Sequence, residues 1–236
     1  MNLSAGRGGW RAERWWASSG IVFVALFAIG LGLADVLASS PYPSFAADDF
    51  EIVSYFRDSR LQVRALSVSH SLAAMALVVF AVHVASVVRR GDEAAERPAA
   101  LVLVSGVMAG AFLLLSALLF WVLALAVTTA GAELVRVLLA FSYLAGGPPG
   151  LLLPLTLFVG ASSRAAVRTR LLPGWLTRAG EAFAVAGMLC TFVMLDRVIG
   201  LESPVWRLVL LPTVTLGVMW VLATSVLLAR RARDSA

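Results

Sequence analysis

Few side chains in this sequence could do chemistry, and those that could sit in an unfavourable solvent for it. Asp35, His70, Arg136, Asp196 and Arg207 each fall inside or at the end of a long apolar stretch. Ionisable groups are costly in such surroundings, which makes them functional candidates by default. Asp35 and His70 reach similar depth if their stretches pack side by side, as consecutive elements usually do. Ser67, Ser69 and Ser71 add hydroxyls around His70. Turned inward, these carboxylates and guanidiniums would satisfy one another in an outward-facing, ligand-binding pocket. A histidine among them would titrate near neutral pH. Turned outward, the arginines would snorkel to lipid headgroups and the carboxylates would pair with them there. The pocket is the sharper expectation.

Other chemistries lack their residues. His70 and His83 are 13 positions apart, roughly 220° of helical rotation. They face different ways and cannot share a haem within one chain. Zinc motifs of the H-E-x-x-H or C-x-x-C kind are missing, as are G-x-S-x-G and phosphate-binding loops. Asp35 and Asp196 do not stand in the Gly-x-Gly-Asp setting of intramembrane aspartyl proteases, and Glu133 and Glu181 belong to opposite faces. All 19 basic residues are arginine, which removes lysine Schiff-base chemistry. Cys190 has no partner for a disulfide and reads as a small apolar helix residue. No catalytic residue, metal or cofactor is therefore expected.

The elements that position these residues dominate the chain. Apolar stretches run over residues 20–37, 65–88, 99–127, 134–160, 182–199 and 205–228. About 20 apolar residues in a helix cross the roughly 30 Å hydrocarbon core. Hydrophobic residues make up 60% of the 236 and charged ones only 14%, a membrane composition. The expected fold is one all-α domain over residues 1–236, a polytopic transmembrane bundle of six helices. Thirteen arginines fall on one set of ends and six on the other. The positive-inside rule then puts both termini in the cytoplasm. Trp15, Trp16, Trp175 and Trp206 lie where indoles anchor helices at an interface. A net charge of +5 spread over helix ends does not make a nucleic-acid surface. The first stretch has a rival reading, since Val36-Leu37-Ala38-Ser39 after an arginine-rich start resembles a signal-peptide cleavage region.

Two local features stand out. Asp48 followed three positions later by Glu51 has capping-box spacing, with Ile52 and Phe56 on one face behind it. That predicts a short external amphipathic helix over residues 49–59. In the fourth stretch, Gly146-Gly147-Pro148-Pro149-Gly150 removes two amide donors in succession, so the helix should kink or break there. Gly106 and Gly110 form a GxxxG pair suited to close packing. Gly30 and Gly32 thin the first helix, as Ala184 and Gly187 thin the fifth.

The stretch Asp49-Phe50-Glu51-Ile52-Val53-Ser54-Tyr55-Phe56-Arg57-Asp58 and the run Leu172-Pro173-Gly174-Trp175-Leu176 resemble a family of six-span bacterial integral membrane proteins known only as a domain of unknown function. The resemblance implies the architecture and a multi-pass place in the plasma membrane. It implies no substrate. The expected role is non-enzymatic binding of a membrane partner or a lipid-like ligand. The alternative is a small transporter or permease, because broken helices build substrate sites in transporters.

Overall fold

A computed structural model describes residues 5–37, 42–43, 47–91, 95–194 and 204–234. Of these, residues 5–12, 35, 148–149, 192–194 and 204–211 are described by their backbone alone. The described residues form helices and no strand. In chain order these are α1 (Ala5–Val36), α2 (Asp49–Asp58), α3 (Arg60–Gly91), α4 (Glu96–Ala126) and α5 (Ala132–Gly146). A π-helical turn (Pro148–Leu152) then leads into α6 (Leu153–Thr169), followed by α7 (Gly174–Met194) and α8 (Pro204–Asp234).

Five helical stretches are long and apolar enough to cross a membrane: Glu13–Ala34, Arg60–Gly91, Glu96–Ala126, Ala132–Thr169 and Pro212–Asp234. The helices outrun the apolar stretches, because the polar flanks of α1, α3 and α8 continue the same winding. Helix α7 enters the expected 182–199 span, whose residues past Met194 lie outside the described ones.

The main core joins α1, α3, α4, α6, α7 and α8 around Phe23, Leu77, Phe80, Leu155, Phe158 and Val221, each 2% exposed or less. One close seam is the GxxxG face of α4. A Cβ on Gly106 would collide with Ala81 and lie 3.0 Å from the Phe158 ring. One on Gly110 would lie 2.5 Å from Val78 and 3.1 Å from the Ala74 carbonyl. Where the surroundings of a helix are as apolar as its core-facing side, such backbone approach is what selects one neighbour over another. Helix α1 is tied in by Ser225 of α8, whose hydroxyl donates to the Ala17 carbonyl and accepts the Ile21 N–H at 3.1 Å.

Helix α2 forms because Asp48 Oδ1 accepts the Glu51 N–H at 2.7 Å, satisfying one of the amides a helix start leaves free. Its buried Ile52, Tyr55 and Phe56 cover a second cluster made by Leu123, Val127, Val135 and Leu139 of the α4–α5 corner. The fourth stretch stops being α-helical where the glycine–proline run begins. Gly147 is extended (φ −95°, ψ −158°), and the N–H groups of Leu151 and Leu152 both reach the Gly147 carbonyl, at 2.9 and 3.1 Å. Pro148 and Pro149 cannot donate to the carbonyls of Leu144 and Ala145. Gly150 packs directly on those two carbonyls, in space that a Cβ would occupy. Leu151 and Leu152 beyond it are buried, so apolar packing fills the break.

Candidate functional site

The residues expected to converge have different partners wherever their side chains are described. His70 on α3 is 9% exposed and stacks flat on Phe27 of α1, with ring centroids 4.8 Å apart and 7° between planes. Gly30 of α1 makes room for it, since a Cβ there would lie 2.9 Å from His70 Cδ2. Beside it, Ser69 donates to the Leu26 carbonyl at 2.6 Å. The imidazole thus serves the α1–α3 seam as a flat packing surface. Arg136 at the start of α5 pairs instead with Asp49 of α2. The side chains of Asp35 and Arg207, and all of Asp196, lie outside the described residues. Among the described residues, no three of His, Cys, Asp and Glu gather as a metal-binding group.

A more concentrated arrangement lies between α4, α6 and α7. Here a groove of about 590 Å³ is walled by Leu101, Leu157, Ala161, Ala184, Val185 and Met188. Its floor is the α6–α7 contact, where Gly160 lets the helices close so far that an added Cβ would lie 2.8 Å from that of Ala184. Arg97, Arg164 and Arg168 stand at one end with Glu181. Arg164 Nη1 meets Glu181 Oε1 at 3.2 Å. The other two arginines are exposed and meet no carboxylate among the described residues.

Sequence spacing explains how α6 builds its wall. Leu157, Ala161, Arg164 and Arg168 recur at steps of four, three and four, which puts them on one helical face. The end of that face is set by a sharp stop. Arg170 adopts a left-handed conformation (φ 50°, ψ 32°) and the Leu171 N–H turns back to the Ala166 carbonyl at 3.1 Å, so the chain reverses into α7. A mouth with three cations and one anion above apolar walls can hold an amphiphile with a negatively charged head. It contains no nucleophile–base pair.

No family model, curated protein or solved structure matches the chain.

Arg97, Arg164 and Arg168 are among the thirteen arginines that mark topology in the sequence, which does not join them into a site. A signal existed in the i, i+4 pair Arg164 and Arg168 continuing the face of Leu157 and Ala161. What the sequence did not carry was that Glu181 and Arg97, from two other helices, would meet that face.

Proposed function

We propose that this is a multi-pass protein of the plasma membrane that acts without catalysis, by binding a lipid-like ligand in the α4–α6–α7 groove. The observation that carries the reading is the groove itself: an arginine mouth over apolar walls, lined by exposed Leu101, Leu157, Val185 and Met188. Small-molecule pockets span roughly 300–1,000 Å³ and combine apolar walls with a few placed polar groups, and this groove has both. Basic pockets between transmembrane helices are a recurring way to hold acidic lipid heads.

The same reading takes six crossings, with α5, the π-helical turn and α6 as one of them, and both termini in the cytoplasm. Several contacts gather one set of helix ends together. Arg90 of α3 pairs with Glu13 of α1, Gly91 closes on Thr169, and Arg231 of α8 donates to the Arg170 carbonyl at 3.4 Å. Exposed Trp15, Trp16 and Trp175 flank this arginine-rich end, as interfacial indoles would.

Lipid extraction from the full chain purified out of native membranes tests the function. Bound lipid that is retained by the wild type and lost from Ala161→Phe supports it; wild-type protein free of lipid overturns it. A pair of C-terminal reporters, one active in the cytoplasm and one outside, tests the topology. An externally active C-terminus refutes it.

The interrupted fourth stretch favours a second reading, a small transporter. Transport requires a wet path through the break. Leu151, Leu152 and Leu155 beyond the break are buried and apolar, and the buried hydroxyls of Ser116 and Ser142 before it donate to the Ser142 and Leu139 carbonyls, which weighs toward binding. Labelling of Ser142→Cys by a water-soluble thiol reagent would restore the transporter.

A further inference from the structure

We infer that the α4–α6–α7 groove is selective for an anionic phospholipid: one acyl chain lies along α6 and α7, the phosphate sits between Arg97 and Arg168, and Glu181 restrains the affinity by holding Arg164. This rests on the lipid-binding reading above and names the ligand class within it.

Charge selects the head. Among the described lining residues, three guanidiniums and one carboxylate leave two positive charges in excess at the mouth. Glu181 is committed to Arg164 at 3.2 Å, so the excess resides on Arg97 and Arg168. Guanidinium forks match phosphate oxygens in geometry as well as charge. A zwitterionic head would bring its own ammonium up to these cations, whereas a head with net negative charge brings none in excess.

The walls select the tail. From Thr156 to Arg168 the α6 side of the groove runs roughly 18 Å at about 1.5 Å per residue. That is close to one leaflet of a hydrocarbon core roughly 30 Å thick. Leu157, Ala161, Val185 and Met188 along this run offer a chain only apolar contact. A free phosphate would use the mouth and gain nothing from the walls, so the two halves of the groove point to one amphiphile.

Glu181 gives the proposal its sharpest consequence. Neutralising it frees Arg164 for the ligand and should tighten binding, while removing Arg97 or Arg168 should weaken it. Opposite signs from neighbouring substitutions are not what a purely structural ion pair would produce.

The test is native mass spectrometry of the detergent-purified full chain, titrated with phosphatidylglycerol and with phosphatidylcholine of the same acyl chains. Inorganic phosphate serves as a competitor. Phosphatidylglycerol should bind more tightly. Arg97→Gln and Arg168→Gln should each weaken it by about fivefold and weaken phosphatidylcholine, whose ammonium already offsets part of the attraction, by less. Glu181→Gln should strengthen phosphatidylglycerol binding. Ala161→Phe should weaken both lipids, and Val185→Trp, at an exposed wall position, does the same if the first variant fails to fold. Equal wild-type affinity for the two lipids overturns the headgroup assignment and leaves the lipid-binding reading intact. Binding of both lipids unaffected by the wall variants overturns both readings. Full displacement of phosphatidylglycerol by inorganic phosphate overturns the acyl-chain assignment.

Discussion

Arg136 in the first turns of α5 grips Asp49, the first residue of α2. Its Nε and Nη2 both donate to Asp49 Oδ1, at 2.9 and 2.6 Å, and Nη2 also donates to the Ala47 carbonyl at 2.8 Å. One guanidinium therefore fixes both the entry to α2 and its first residue. The helix is thereby seated over the α4–α5 corner, with Ile52 and Phe56 at most 1% exposed beneath it. The pair itself is partly exposed, which limits its contribution to about 1 kcal/mol.

Breaking this grip should loosen α2 locally. In Arg136→Ala, amide hydrogen exchange across Asp49–Asp58 is expected to quicken by about fivefold, with little change in α3 or α4. Unchanged exchange in α2 would show that Ile52, Tyr55 and Phe56 hold the helix unaided.

The α4 glycines should tolerate no side chain. Gly106→Val and Gly110→Val each insert atoms against Ala81 or Val78, and overpacking of this kind costs about 1–3 kcal/mol. Gly32 has nothing within 4 Å of an added Cβ, so Gly32→Ala should be neutral or slightly stabilising. Unfolding by denaturing detergent, compared across the three variants, checks the contrast. Equal stability of all three would refute the close α3–α4 seam.

Gly150 poses a stricter case because its neighbours are backbone. A methyl group there meets the Ala145 and Leu144 carbonyls, which cannot rotate aside as a side chain does. Gly150→Ala should cost at least as much as the α4 substitutions, about 1–3 kcal/mol. The matching control is Gly131→Ala, where an added Cβ meets nothing within 4 Å. Thermal unfolding midpoints that coincide for the two variants would mean the chain at the break passes less closely than described.

Strongly alkaline solution should open the α2 end of the bundle. Tyr42 has a buried hydroxyl and a ring packed 5.2 Å from Tyr55 and 5.8 Å from Tyr143, centroid to centroid. Burial pushes its phenol well above the usual 10.0, and the neighbouring Tyr143 pushes it further. Tyr55 is raised too, again through burial. Below pH 10 both tyrosines are neutral in the folded and unfolded chain, and their contribution is complete. Above it the unfolded chain releases protons that the folded chain retains, so stability falls with rising pH until the folded phenols ionise. Tyr42→Phe should flatten this alkaline loss, read as unfolding against pH with tyrosinate absorbance as the monitor. An equally steep loss in the variant would refute the role of Tyr42.

The sequence alone determined what depends on local covalent facts. Asp48 and Glu51 announce the start of α2 because a cap needs only a side chain and an amide three residues on. Pro148 and Pro149 announce the break because a missing N–H is missing in any fold. The long apolar stretches announce helices, since a single stretch of that length satisfies all its backbone groups within itself only by winding. Tertiary structure alone decided which faces meet. In a membrane protein the lipid-facing and core-facing sides of a helix are both apolar, so periodicity does not point inward as it does in water. Neighbours are chosen instead by where backbones approach, at Gly106 against Ala81 and at Gly160 against Ala184. That choice brings Arg97, Arg164, Arg168 and Glu181 from three helices to one mouth, and lays His70 against Phe27. Each residue was visible in the sequence, but the contacts depend on helix positions that no single stretch encodes.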